Sequence, residues 1–237
     1  MKLEKLKDKI SAELYETLVA ENISELRPAQ VKAIKAGLLE NKNLLICTPT
    51  ASGKTLIAEM AFVKSILNRE GKCIYIVPLK ALASEKYSEF KRKYDNKDAG
   101  RELFRVALSI GDFDKTDSYL DKYDLILTVP EKLDSLMRHH TPWLKEVKTV
   151  IIDEIHLLND TDRGPTLEII ITMLKMMLKK IHIIGLSATI GNPDELAAWL
   201  NANLVEDDWR PVKLHKGIYL NGEIEFEYHE SKRILGN

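Results

Sequence analysis

Leu44–Thr55 reads LLICTPTASGKT. Four apolar residues, LLIC, run straight into Thr48-Pro49-Thr50-Ala51-Ser52-Gly53-Lys54-Thr55, and a helical pattern follows. A short, continuous apolar run of this kind fits a strand buried on both faces. A turn of backbone N–H groups leading from a strand into a helix N-terminus makes an anion cradle, because amides and helix dipole both favour negative charge. Thr48, Pro49, Thr50, Ala51, Ser52 and Gly53 would form that cradle. Lys54 would reach the β- and γ-phosphates, and the Thr55 hydroxyl would ligate Mg2+. The usual pattern opens with glycine; here Thr48 holds that place, and Gly53 is the loop's single glycine.

Working outward, similar runs occur at Cys73–Val77, Val106–Ile110, Leu125–Thr128, Val150–Ile152 and Ile183–Leu186, each followed by a helical pattern. Repeated strand–helix units bury strands on both faces and predict an α/β fold, a mainly parallel β-sheet sandwiched by α-helices. Upstream, Leu3, Leu6, Ile10, Leu14 and Leu18 form a helical stripe, and a second helix carries Val31, Ile34 and Leu38 after Pro28. Gly164-Pro165 starts a helix with Pro in its first turn, and Asn192 is placed to cap another. Beyond about residue 210 the rhythm changes: GIYL, Asn221-Gly222 and EIEFEY read as a short C-terminal β-hairpin. The expected division is residues 1–205, with a helical segment over 1–40, followed by a hairpin and linker over 206–237.

Composition narrows the function classes. The chain has 237 residues, 45% apolar and 30% charged, which excludes a disordered or fibrous protein. A net charge of −1 excludes a uniformly basic nucleic-acid binder, though not a local phosphate-binding surface. Cys47 and Cys73 sit in apolar runs and read as buried thiols, neither a disulfide framework nor a metal site. No signal peptide or membrane span is legible, so a soluble, cytoplasmic protein is expected.

Two further features follow strands. Asp153-Glu154-Ile155-His156 begins at the end of VIID; alone, an acidic pair is a solvated turn, but past a buried strand Asp153 could hold Mg2+ directly or through water, and Glu154 could orient or deprotonate an attacking water. Ser187-Ala188-Thr189 follows IIGL and in isolation would be capping chemistry. PLKAL (Pro78–Leu82) and TVPEK (Thr128–Lys132) occupy equivalent places. In open parallel sheets ligands bind beyond the carboxyl ends of the strands. All these segments lie at such ends, so one rim would gather them. The run Lys91-Arg92-Lys93 reads as a solvated helix face.

Taken together, TPTASGKT, PLKAL, TVPEK, DEIH and SAT resemble motifs I, Ia, Ib, II and III of the first RecA-like motor domain of superfamily-two DExH helicases. Leu26-Arg27-Pro28-Ala29-Gln30 resembles the adenine-reading Q motif. RGPTLE (Arg163–Glu168), GNPDELAAWL (Gly191–Leu200) and DWRPVKLHKGIY (Asp208–Tyr219) are similar to the Ski-like branch, most of all its archaeal fork-processing DNA helicases. The resemblance implies a RecA-like P-loop domain and ATP hydrolysis with Mg2+, coupled to 3′-to-5′ movement along single-stranded nucleic acid, DNA in preference to RNA. It implies that Gln30 bonds adenine, Lys54 holds phosphate, Thr55 and Asp153 handle Mg2+, and Glu154 serves the hydrolytic water. His156, Ser187 and Thr189 would couple nucleotide state to strand grip. Pro78, Lys80, Thr128 and Pro130 mark the nucleic-acid segments, where helix N-termini can hold phosphates without reading bases.

The family's second motor domain supplies arginines in a QxxGRxGR-like motif, and nothing up to Asn237 matches it. The chain is therefore expected to be one domain of a larger helicase, a monomer that hydrolyses nucleotide slowly and unwinds nothing alone, since an arginine finger is worth roughly 10³–10⁵ in rate. An RNA helicase of the same branch is the nearest alternative. A P-loop phosphotransferase would not need PLKAL, TVPEK and SAT on one rim, and a nonhydrolytic module would not need Lys54, Asp153 and Glu154 together.

Overall fold

The computed structural model describes residues 1–96, 100–111, 117–212, 217–220 and 223–226. A 3-10 turn over Leu3–Leu6 precedes α1 (Ala12–Ala20) and α2 (Pro28–Lys35). β1 (Leu44–Cys47) leads to α3 (Lys54–Leu67), and β2 (Lys72–Ile76) leads to α4 (Lys80–Tyr94). A small antiparallel ribbon joins β3 (Asp95–Asn96) to β4 (Arg101–Glu102). Then come β5 (Val106–Ser109), β6 (Leu125–Thr128), α5 (Pro130–Arg138), β7 (Val147–Ile152) and α6 (Gly164–Met177). β8 (His182–Ser187), α7 (Pro193–Leu200) and β9 (Asn203–Glu206) complete the main body, and β10 (Gly217–Leu220) pairs antiparallel with β11 (Glu223–Phe226).

The main sheet has the order β5-β6-β2-β7-β8-β1-β9, and every ladder in it is parallel. Strands pointing one way deliver the loops after β1, β2, β6, β7 and β8 to a single rim, which is where ligands gather in such sheets. Side chains alternate to the two faces, as strand geometry requires. Leu44 and Ile46 join Phe62, Tyr75, Phe90 and Ile184 in one core, while Leu45 and Cys47 join Ile74, Ile152, Leu133, Ile170 and Leu200 in the other. Each such side chain contributes roughly 1.5–3 kcal/mol by leaving water, so two dry layers hold the rim rigidly. Both cysteines are free and buried, and burial pushes their thiols up to about 11 for Cys47 and about 12 for Cys73.

Several expectations need correction. The leading stripe is not one helix: Ser11 interrupts it, its hydroxyl accepting from the Leu14 amide at 3.2 Å to start α1 afresh. Leu38 lies beyond α2, past Gly37 at φ 105°. Asn192 stands at the start of α7 but caps no amide; its side chain donates to Glu195 at 3.2 Å. In the run Lys91-Arg92-Lys93 the first two residues are exposed as expected, but Lys93 is not, because it turns inward onto buried Glu59 at 3.0 and 3.1 Å. β9 adds a strand that Asn203-Leu204-Val205-Glu206 does not advertise, since an edge strand buries only Val205. The Asn221-Gly222 turn lies outside the described residues. Among those described, no helix is long and apolar enough to cross a membrane.

Candidate functional site

The loop from Thr48 to Gly53 folds around its own small polar groups. Thr48 is buried, and its hydroxyl meets that of Ser52 at 2.7 Å, so the residue in the usual glycine position closes the loop with a side-chain bond. Two residues adopt left-handed backbone, Ala51 at φ 66° and Gly53 at φ 94°. Only Gly53 is also crowded: a Cβ there would come 2.5 Å from Gln30 Nε2. Gln30 explains the crowding. Its Oε1 accepts from the Arg27 amide at 2.8 Å, opening α2, while its Nε2 donates to the Gly53 carbonyl at 3.1 Å. The Arg27 guanidinium donates to the Ala51 carbonyl and lies 5.6 Å from the Trp209 ring. Lys54, opening α3, donates to the carbonyls of Thr48 at 2.8 Å and Pro49 at 3.3 Å.

The acidic segment meets this loop from the end of β7. The Asp153 amide donates to the Ile76 carbonyl at 2.8 Å, and its carboxylate accepts from Tyr75 Oη at 3.0 Å and from the Glu154 amide at 3.0 Å. Glu154 turns left-handed at φ 51°, which swings its side chain away from the strand. His156 Nδ1 stands 3.4 Å from Glu154 Oε2. Thr50, Gly53, Lys54, Thr55, Lys86, Asp153 and Glu154 line one cleft, together with Arg27, Ala51, Leu82 and Pro211. The charges feel one another: burial pulls the Lys54 ammonium below its usual range, Glu154 and Asp153 oppose that, and Arg210 adds to it. Burial pushes the Asp153 carboxyl up, against the Tyr75 hydrogen bond, and Glu154 pushes it further.

Such a cleft can hold a triphosphate and a hard cation. Thr55 and Asp153 offer oxygen donors across it, and a Mg2+ ion fits because it takes only one or two protein ligands and fills the rest from phosphate and water. Among the described residues no group of three His, Cys, Asp or Glu forms a self-sufficient metal cage, in keeping with that donor set.

The remaining candidates divide. Ser187 touches the loop through backbone, its carbonyl accepting from the Thr48 amide at 3.2 Å, while its buried hydroxyl has no partner. Thr189 is exposed beside Pro49 and Arg210. Pro78 and Lys80 stand at the solvent-facing start of α4, with the Pro78 carbonyl accepting from Arg163 at 3.4 Å. Thr128 and Pro130 are buried instead; the Thr128 hydroxyl donates to the Ser109 carbonyl at 2.8 Å. Lys132 is buried too, against Asp117 at 3.1 Å. At the start of α5 the side chains of Thr128, Pro130 and Lys132 are thus structural, while Glu131 between them is exposed.

Sequence reading missed Tyr75, Lys86 and Arg27. The first two are brought to Asp153 and Thr55 by strand register and helix packing, neither of which leaves a local pattern. Arg27 had a signal, because it stands three residues before Gln30, the spacing of a helix-capping pair.

Residues 27–196 match the family model described as DEAD/DEAH box helicase. The chain is 57% identical over 235 residues to the ATP-dependent DNA helicase Hel308 of Methanocaldococcus jannaschii, covering 94% of this chain and 19% of that one. It is 52% identical to the Hel308 of Pyrococcus abyssi, covering 94% of this chain and 30% of the relative. A crystal structure of the DUF1998 helicase MrfA bound to DNA superposes with a TM-score of 0.73 at 27% identity, over 85% of this chain and 30% of that one. The chain thus spans less than a third of each of these proteins, and its likeness to them falls on the segment bearing the loop, the acidic pair and SAT. With its parallel sheet, its phosphate-type loop and its acidic strand end, the chain belongs to the DEAD/DEAH box helicase family.

Proposed function

We propose that the chain is the ATP-binding motor domain of an ATP-dependent 3′-to-5′ DNA helicase, working with a second RecA-like domain of the same polypeptide. One observation carries the reading: Lys54 and Thr55 share a cleft with Asp153 and Glu154, although about a hundred residues separate the two pairs. A P-loop and an acidic strand end in one cleft are the parts that phosphoryl transfer from ATP requires.

In this reading adenine meets the second N–H and the second lone pair of the Gln30 amide, whose others hold Gly53 and Arg27, and the backbone from Thr48 to Gly53 wraps the phosphates. Lys54 leaves the Thr48 and Pro49 carbonyls to pair with the β- and γ-phosphates. Thr55 and Asp153 hold Mg2+, which supplies charge neutralisation on the phosphate oxygens when bound. Glu154 takes the proton from the attacking water, held near it by its left-handed turn. His156 beside Glu154, Ser187 on the loop's backbone and Thr189 at the rim relay the nucleotide state to the nucleic-acid surface. That surface is the start of α4 with Pro78 and Lys80, continued by the first turn of α5 after Thr128 and Pro130. Phosphates there meet N–H groups left without intrahelical partners, so grip needs no net positive charge. DNA is favoured over RNA because the two Hel308 relatives compared above are described as DNA helicases. The protein acts as a monomer.

The test is direct. Lys54→Ala should weaken binding of fluorescent ATP or ADP, because it removes a charge-assisted bond to phosphate. In a longer version carrying the second domain, single-stranded DNA should raise ATP turnover more than RNA does. Unchanged nucleotide affinity in Lys54→Ala would overturn the site; turnover indifferent to nucleic acid would overturn the motor.

A further inference from the structure

A lysine from α4 reaches into the cleft. Lys86 Nζ lies 3.1 Å from Thr55 Oγ1 and, at the same time, 3.1 Å from Glu89 Oε2. Its side chain is 14% exposed, so solvent screens it only partly. Its charge also bears on Asp153. Glu89 in turn accepts from Lys93 at 2.7 Å, and Lys93 is fixed on buried Glu59, which also accepts from Tyr94 at 2.6 Å. Lys86 is therefore one end of a charged chain anchored in the core, and its ammonium is shared between two oxygens of opposite consequence.

Resting on the nucleotide-site reading above, we infer that Lys86 competes with Mg2+ for the Thr55 hydroxyl and so sets how much Mg2+ nucleotide binding demands. A hydroxyl has two lone pairs, so geometry alone would admit an ammonium and a metal together. Charge opposes it, because two cations on one oxygen repel, and Lys86, only 14% exposed, is screened only in part. Entry of the metal moves the ammonium off Thr55. Glu89 is already in contact and receives it, so the displaced charge stays paired. Lys86 is a positioning residue: it acts through Thr55, the proposed metal ligand.

The experiment measures Mg2+ titrations of fluorescent-ADP binding to the chain, with folding checked by thermal melting. Lys86→Met keeps the stem and removes the charge; the half-saturating Mg2+ concentration should fall about tenfold, the low end of outer-shell effects on metal affinity. Glu89→Gln weakens the resting place of the ammonium and should shift the titration the other way. Lys86→Arg keeps the charge and should stay near wild type. A purely structural role would shift Lys86→Met and Glu89→Gln in the same direction. That result, or an unmoved titration in Lys86→Met, overturns the competition. Lys54→Ala run alongside separates the two failures: if it leaves ADP affinity intact, the nucleotide site itself is wrong, whereas its loss beside an unmoved Lys86→Met overturns only the role of Lys86.

Discussion

The phenol of Tyr75 donates to Asp153 Oδ2 at 3.0 Å, from the neighbouring strand of the sheet. Tyr75 is fully buried among Phe62 and Phe90, with its ring 6.5 and 5.4 Å from theirs, so the hydroxyl cannot wander. The hydrophobic core thereby fixes the rotamer of a carboxylate at the rim. Tyr75→Phe keeps the ring packing and frees that oxygen. Mg2+-dependent gain in ADP affinity should fall by about tenfold or more, as expected when the proposed metal ligand loses its orienting partner. Affinity for ADP without Mg2+ should stay close to wild type. Titrating both conditions checks the split; equal losses in the two would mean general damage rather than a lost orientation.

Gly53→Ala should be among the most damaging single changes in the loop. The residue sits at φ 94°, which strains any side chain, and the added Cβ would press on Gln30 Nε2 at 2.5 Å. Relief requires Gln30 to leave the Gly53 carbonyl, which also unseats the amide cap on Arg27. A loss of roughly 1–3 kcal/mol in unfolding free energy is expected from the backbone strain, together with weakened ATP binding. Urea denaturation and a nucleotide titration on one preparation check both. Ala51 offers the contrast, because it already tolerates φ 66° as a non-glycine.

Glu154→Gln separates binding from chemistry. Glu154 is half-exposed at the cleft wall and makes no hydrogen bond to the phosphate-type loop, so Glu154→Gln should leave nucleotide binding intact. An amide cannot take a proton from water, and in a longer version carrying the proposed second domain turnover should drop by about 10²–10⁴, the range a general base supplies. Steady-state ATP hydrolysis with saturating single-stranded DNA reads this. Normal cycling in the variant would move the base to another residue.

What the sequence disclosed, and what it hid, follows from the range of each interaction. β1, the loop and the start of α3 were legible because a buried strand, a phosphate-type turn and a helix start occupy adjacent residues. The shared rim followed from parallel order alone. Tyr75, Lys86 and Lys93 stayed hidden because their partners Asp153, Thr55 and Glu59 lie 78, 31 and 34 positions away. β9 was missed for another reason: as the edge strand beside β1 it can keep polar residues outward. Thr128 shows the same limit: it ends β6 and marks the segment before α5, but nothing local to it tells that its hydroxyl is spent on the Ser109 carbonyl, 19 positions away.

His182 gives the fold a built-in acid sensitivity far from the cleft. It opens β8 at the opposite rim, where it is only 3% exposed. Its Nε2 meets the Lys42 carbonyl at 3.0 Å, so the neutral ring donates there, while Nδ1 is buried without a partner. A second proton would go to Nδ1 and find no acceptor. Burial accordingly lowers the imidazole from 6.5 to about 4, against the Lys42 bond. The folded value lies below the unfolded one, so on acidification the unfolded chain takes up the proton first. Stability is fully present above pH 6.5 and is lost as the pH falls towards about 4, by about 3 kcal/mol at most. His182→Gln can still donate to Lys42 and carries no titrating group. Urea denaturation of both proteins at pH 7 and pH 4 should show a smaller acid loss in the variant. Carboxylates titrate alike in the two, so the difference isolates His182, and parallel losses would show that the ring is not held neutral by the fold.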